Sequence, residues 1–288
     1  MSAVDVQLFA KAATRRRRKT LGLALVAVSA VWLVFVLVLA AFGYQLAPHD
    51  PHMINFSLRE LPPFPGHRFG TDQLGRDILS RVFAGARTAI AGPALLALGT
   101  TLVATTCGLL AGYRGGALDT VISRTVDLMY ALPALLVIIV VVGVLGGGYL
   151  LAVGVLTVFV IPADIRLIRS ATLAQRELPY IESARTLGLS ERRIMIVHIL
   201  PNILPTVIAT ILLEFVAAIV TLSGLSFLGL GVQAGTPDWG LMISENRNVM
   251  DLNPWAVVAP AIAIALTAAS ATIVGDWLYD RFTESGSG

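Results

Sequence analysis

One cysteine and two lysines occur in 288 residues, and each scarcity removes a class of function. Cys107 has no partner for an internal disulfide, and its apolar surroundings make it read as a small buried hydrophobe. A nucleotide-binding phosphate loop needs Gly-Lys followed by Ser or Thr. Lys11 lies between Ala10 and Ala12, and Lys19 follows Arg18, so no such loop exists. The four histidines form no His-Glu-x-x-His pair. His49 and His52 flank Asp50-Pro51 and read as a turn, so no metal site is expected. A Gly-x-Ser-x-Gly nucleophile elbow is missing too. Gly224-Leu225-Ser226-Phe227-Leu228-Gly229 is one residue too long and lies in an apolar run. An enzyme, intramembrane or otherwise, therefore lacks its catalytic groups.

Charge is also scarce. Charged residues make up 14% of the chain, against about 25% in a soluble domain. Hydrophobic residues make up 56%, and the mean hydropathy is +0.79. About 20 apolar residues in a helix cross the ~30 Å hydrocarbon layer, and several runs meet that length. Short alternating strands do not occur, which excludes a β-barrel. The sequence pI of about 9.3 comes from basic residues at the ends of apolar runs, and no nucleic-acid partner is implied.

The pattern predicts an all-α membrane protein with about six transmembrane helices, over 21–43, 88–113, 128–145, 149–168, 203–231 and 255–278. Gly146, Gly147 and Gly148 form a tight turn between the third and fourth. The first run exceeds the about 7–15 apolar residues of a signal peptide and reads as an uncleaved span. Residues 1–87 then hold a tail, the first span and an extracytoplasmic segment. Residues 88–280 form a core with five spans and a cytoplasmic loop over 171–201, and 281–288 form a polar tail. With both termini in the cytoplasm, 15 of the 21 Lys and Arg residues fall inside, among them Arg15 to Lys19, and 6 fall outside. That bias supports the orientation. Two small-xxx-small pairs, Gly108 with Gly112 and Gly143 with Gly147, suit close helix approach.

The loop between spans four and five is the most informative segment. Pro179 suits the first turn of a helix, and Gly188 suits the left-handed position just past its end. Ser190 can cap a second helix, with Glu191 in its first turn. Pro201 and Pro205 are expected to break or kink the entry into span five. The series Glu182-Ser183-Ala184-Arg185-Thr186-Leu187-Gly188, then His198-Ile199-Leu200-Pro201-Asn202, resembles the EAA loop of binding-protein-dependent ABC importer permeases. Ser183 stands where that family has its first Ala, and His198 where many members have Ile. The resemblance implies that this loop is a coupling helix docking on an ATPase subunit. Glu182 would orient the loop or pair with a basic group, while Ser183 and Ala184 allow close docking.

Other stretches are similar to the dipeptide, oligopeptide and nickel branch of the family, in its C-type subunit. The first is His67-Arg68-Phe69-Gly70-Thr71-Asp72-Gln73-Leu74-Gly75-Arg76-Asp77. Asp72 reads there as a helix cap, and Arg76 and Asp77 as structural contacts at the outer rim. The second is Leu225-Ser226-Phe227-Leu228-Gly229-Leu230-Gly231, and the third Thr236-Pro237-Asp238-Trp239-Gly240. Trp239 reads as an interfacial anchor or gate element. An acidic residue often stands in that branch five positions before the equivalent of Ser226. Thr221 stands there instead, and Glu214 lies seven residues earlier on the same helical face. Glu214, Thr221 and Ser226 are therefore candidate pathway residues. Glu214 could equally form a buried interhelical hydrogen bond, and Asp164 could pair with Arg166 or reach the inner surface.

The resemblance implies a type I importer transmembrane fold in a prokaryotic cell membrane. The implied partners are a second homologous permease, two ATP-binding subunits that hold ATP and Mg, an extracytoplasmic substrate-binding protein and membrane lipid. Di- or oligopeptides are the first expected substrates, with nickel, glutathione or another small solute as alternatives. An ion-coupled secondary transporter, using Asp164 and Glu214, is the rival from another class.

Overall fold

The computed structural model describes residues 3–285, with side chains over 22–281. The side chains of the basic cluster at 15–19 and of the tail beyond 281 lie outside the described ones. Helices dominate: α1 (Ala3–Leu46), α2 (Ile78–Arg114), α3 (Gly116–Tyr130), α4 (Ala134–Val144), α5 (Tyr149–Arg176) and α6 (Pro179–Thr186). A single turn, α7 (Glu191–Arg193), then leads through Ile194–Ile199 into α8 (Leu200–Phe227), followed by α9 (Trp239–Asn246) and α10 (Trp255–Ser285). Among the described residues no strand forms, and only two isolated bridges pair Phe64 with His67 and Thr71 with Asp77.

Five stretches, 22–46, 78–114, 149–176, 191–227 and 255–281, are long and apolar enough to cross a bilayer. Their outward faces are apolar as well: Val28 and Val31 on α1 are 69% and 70% exposed. A soluble protein does not leave such surfaces to water, and lipid is the solvent that suits them.

The expected straight third span does not form. Its residues belong to α3 and α4, which meet at an angle of 77°. Pro133 stands at the junction, just before α4. It supplies no N–H and disfavours helical backbone at Leu132. The 11 residues of α4 reach only about 16 Å, half the hydrocarbon layer, and much of the expected loop at 114–127 is the helix α3. At the far end, α10 continues past the expected span limit at 278 to Ser285.

Entry into α8 also departs from expectation. Instead of breaking, the chain widens into π-type turns over Ile194–Ile199 and stays helical through Pro201 and Pro205. Wider turns change which carbonyls need a donor, and so absorb a residue without an N–H.

Close approach of α2 and α5 rests on glycine. A Cβ at Gly108 would lie 2.9 Å from the Cβ of Ile168, and one at Gly112 would lie 2.7 Å from that of Thr172. Gly143 and Gly147 face open space, so the second expected pair packs against nothing within the described chain. Gly147 serves the turn instead, where Gly146, Gly147 and Gly148 all have positive φ.

Of four apolar clusters among the described residues, three mark the ends and the middle of the bundle. At one end, hereafter the rim, α1, α2, α9 and α10 pack around Val36, Ile78, Trp239 and Met242. Midway, α4, α5 and α8 meet at Ile138, Val153 and Leu222. At the opposite end, the elbow, α6 sits on Ile168, Ile194 and Ile199.

Candidate functional site

The elbow is a short helix with two opposite faces. Pro179 occupies its first turn, where the missing N–H leaves no gap. Its end is closed at Gly188, whose φ is +77°. The Gly188 N–H donates to the Arg185 carbonyl at 2.9 Å, and the Leu189 N–H to that of Ala184 at 3.2 Å. This is the paired bonding of a Schellman stop. Ile181 and Ala184 point into the core, while Glu182, Ser183, Arg185 and Leu187 are exposed. Ala184 is therefore a packing residue and leaves docking to its neighbours. Ser190 takes the capping position of α7 but makes no capping bond with its side chain.

Exposed and apolar, Leu187 stands 80% free at the tip. No salt bridge within the described residues engages Glu182 nearby. Arg185 lies over the Tyr113 ring, 5.1 Å from its centre. His198 contributes its carbonyl, which accepts from Asn202 Nδ2 at 2.6 Å. Leu200 packs against the cluster beneath α6, and Pro201 is exposed in the first turn of α8. Arg169 on α5 braces the same end by gripping Asp119 of α3 through Nε at 2.5 Å and Nη2 at 2.6 Å. Two parallel charged bonds fix orientation as well as distance.

At the rim, residues 47–77 fold into a cap over α2, α9 and α10. Asp72 does not start a helix. Its Oδ1 accepts from the N–H groups of Leu74 and Arg76, both at 2.9 Å, and its Oδ2 accepts from Arg76 Nε at 2.6 Å. The N-cap of α2 is Asp77, whose Oδ2 accepts from the Ser80 N–H at 2.8 Å. Arg76 continues to Glu245 on α9 at 2.8 Å, and Arg81 reaches the same carboxylate at 3.4 Å. Both arginines are almost fully buried.

Gly70 and Gly75 have positive φ, and a Cβ at either would strike backbone, at Leu61 and Asn55. Thr71 is buried and bonded to the Leu58 carbonyl. Trp239 is 1% exposed and donates to the Val82 carbonyl at 2.9 Å. It is a core residue, so the expected interfacial anchor is corrected. Burial, the largest cause, raises the neighbouring Asp238 carboxyl above its ordinary value, while the Leu241 N–H it accepts opposes the shift.

Between the two ends, Asp164 of α5 and Glu214 of α8 face each other, with Thr100 of α2 beside them. Asp164 is 3% exposed, and its Oδ2 has no hydrogen-bond partner. The expected pairing with Arg166 does not occur, because Arg166 bonds Asp127 at 2.7 Å. Thr221 is half-buried on α8. Ser226 is buried, with Gly231 packed close against its side chain.

A short closed helix at one end, a capped rim at the other and a polar pair between them lie in one helical bundle. Residues 104–284 match the model of the binding-protein-dependent transport system inner membrane component. The chain belongs to this family. The glutathione transport system permease protein GsiD of Pectobacterium atrosepticum is 38% identical over 88% of this chain and 85% of its own length. The probable D,D-dipeptide transport system permease protein DdpC of Escherichia coli K12 is 34% identical over 93% and 90%. Among solved structures, an inward-facing conformation of the MetNI methionine ABC transporter superposes with a TM-score of 0.56. That match has 16% identity and covers 70% of this chain and 96% of that one.

In this permease the sequence motifs mark the two ends of the bundle, but not the residues that tie them to the rest. Glu245 collects the arginines of the rim. Asn253 Nδ2 donates to the Phe69 carbonyl at 2.9 Å and the Leu61 carbonyl at 3.1 Å. Neither residue belongs to a motif. The usable signal is an acid and an amide standing among apolar neighbours late in the chain.

Proposed function

We propose that this chain is one of two permease subunits of an ATP-driven importer, and that α6 couples it to an ATPase. The shape of the elbow carries the reading. Its inner face is locked by Ile181, Ala184 and the Gly188 stop, while Glu182, Ser183 and Leu187 stay free. A small rigid body with a free face is what transfers force between subunits. A second homologous permease would complete the pathway. Two ATP-binding subunits would hold ATP and Mg, and a substrate-binding protein would meet the rim. The chain itself would catalyse nothing. Both termini would lie in the cytoplasm of a prokaryote and the rim outside, with the transporter switching as rigid bodies between inward and outward states.

Peptides are the first substrates to test. Kinship with DdpC supports a dipeptide, and kinship with GsiD supports glutathione, itself a short peptide. The Asp164 and Glu214 pair favours the rival reading of an ion-coupled transporter, which leaves the elbow without a task. Purification in mild detergent, followed by transport in vesicles with and without ATP, separates the two. Recovery with ATPases and ATP-dependent uptake is the expected result. Uptake by the chain alone, driven by an ion gradient, would replace it.

A further inference from the structure

Three side chains on the rim have no task in the transport reading. His49 follows α1, His67 lies in the cap, and Asp77 starts α2. The two imidazole rings stack with centroids 4.4 Å apart and planes at 16°. His67 Nδ1 lies 2.8 Å from Asp77 Oδ1, and His49 Nδ1 lies 3.8 Å from Asp77 Oδ2. The ligand atoms of all three lie within 4.8 Å of one another. They border a cavity of about 140 Å³ that Asp50, Met53 and Asn55 also line.

His49 Nδ1 is the decisive atom. It is buried and has no hydrogen-bond partner. A buried ring nitrogen without a partner loses its hydration for nothing, unless something arrives to fill the place. What could arrive is constrained by its neighbours, a second imidazole nitrogen and a carboxylate. Two ligands held at about 2.1 Å from a tetrahedral ion lie about 3.4 Å apart. His67 Nδ1 lies 2.8 Å from Asp77 Oδ1, closer than that value, and His49 Nδ1 lies 3.8 Å from the other carboxylate oxygen, Oδ2.

We propose that His49, His67 and Asp77 form a binding site for a divalent transition cation of the zinc type. Two neutral imidazoles and one carboxylate are donors that such ions prefer to calcium or magnesium. Asp77 is already oriented for the role. The Ser80 N–H and hydroxyl hold its Oδ2 at 2.8 and 2.6 Å, and fixed outer partners of this kind aim a ligand. The ion would take the place of the proton that His67 and Asp77 share, with the His67 proton residing on Nε2. No electron changes hands. The bound ion would tie the end of α1, the cap and the start of α2 into one unit. Sequence spacing does not announce the site, because His67 is distant in the chain from His49 and precedes Asp77 in a non-helical segment.

The test uses the full-length permease, purified with its partners and stripped with a chelator. Co²⁺ alone is titrated while its visible absorption is followed, and Zn²⁺ alone is added in thermal melts. One saturable ion per chain is expected, with a rise in melting temperature as binding to the native state demands. His49→Ala and His67→Ala should each weaken binding at least about tenfold. His49 is part-exposed, and only its backbone N–H is hydrogen-bonded, to Ser80 Oγ. His49→Ala therefore keeps the fold and decides the matter if His67→Ala misfolds. No saturable binding by the wild-type protein, or binding by both variants as tight as the wild type's, overturns the proposal.

Discussion

Leu189 donates its backbone N–H to the carbonyl of Ala184 at 3.2 Å, and this bond closes the end of α6. It forms only because Gly188 takes a φ of +77°. An L-residue pays about 1–2 kcal/mol there, and proline cannot reach that φ at all. Gly188→Ala has room for its Cβ, so it should insert normally and lose part of its coupling. Gly188→Pro should insert and lose nearly all. The measurement is solute-stimulated ATPase activity beside uptake in reconstituted vesicles. Full coupling in Gly188→Pro would remove α6 from the mechanism.

The exposed face of the same helix can be tested without touching its fold. Glu182 and Leu187 are both exposed, so Glu182→Lys and Leu187→Asp should leave the melting temperature of the isolated chain within about 1 °C, since surface changes away from special contacts alter stability little. ATPase subunits should be lost on purification, with Leu187→Asp the more severe because it puts a charge where an apolar contact forms. Retention of ATPases by both variants would move the docking face elsewhere.

At the rim, Glu245 is the shared acceptor of two buried arginines. Removing it leaves Arg76 and Arg81 with less than their charge requires. Breaking a buried pair by deleting one partner costs about 3–5 kcal/mol. Glu245→Ala should lower the melting temperature by several degrees. Glu245→Gln retains acceptor and shape and should fall between that variant and the wild type. Rim variants should leave ATPase binding at the elbow intact, which a pull-down checks.

Motifs were legible in the sequence where a backbone demand is local. Pro179 and Gly188 bracket α6 because one lacks an N–H and the other lacks a Cβ, and both facts are written in the residue itself. Whether Ala184 faces a partner or its own core depends on Ile194 and Ile199, brought beneath it by the wide turn at 194–199. The third span shows the same limit. Hydropathy runs unbroken through 128–145, yet Pro133 divides it into helices at 77°. Apolar content reports what the surroundings are, and a single ring decides whether the helix stays straight. Asp72 has the side chain of a cap, as expected of that position, but so has Asp77 five residues later. Arg76 draws Asp72 away, and Asp77 starts α2.

Gly112 and Gly143 test how far a pattern carries. Both sit in small-xxx-small pairs. A Cβ at Gly112 meets Thr172 at 2.7 Å, whereas one at Gly143 meets nothing within 4 Å. Gly112→Ala should destabilise the isolated chain by about 1–3 kcal/mol through overpacking between α2 and α5. Gly143→Ala should be neutral or slightly stabilising, because alanine favours a helix by about 0.8–1.0 kcal/mol over glycine. Thermal melts of the chain in one detergent compare them. A loss at Gly143 that appears only in the assembled transporter would show that the second pair packs against the other permease.

The facing carboxyls of Asp164 and Glu214 yield the last prediction. Single charges at mid-membrane cost about 2.5–3.5 kcal/mol on insertion scales, so two acids side by side persist only if each relieves the other or serves transport. If the relief is structural, Asp164→Ala and Glu214→Ala should each destabilise, and the double variant should lose less than the two singles added. A coupling energy of about 0.5 kcal/mol or more marks such a contact. If Glu214 instead lines the path, Glu214→Gln should melt like wild type and lose uptake, while Asp164→Asn keeps it. Melting curves and uptake assays on these five variants therefore divide the possibilities. Additive losses with unchanged uptake would leave the pair without either role.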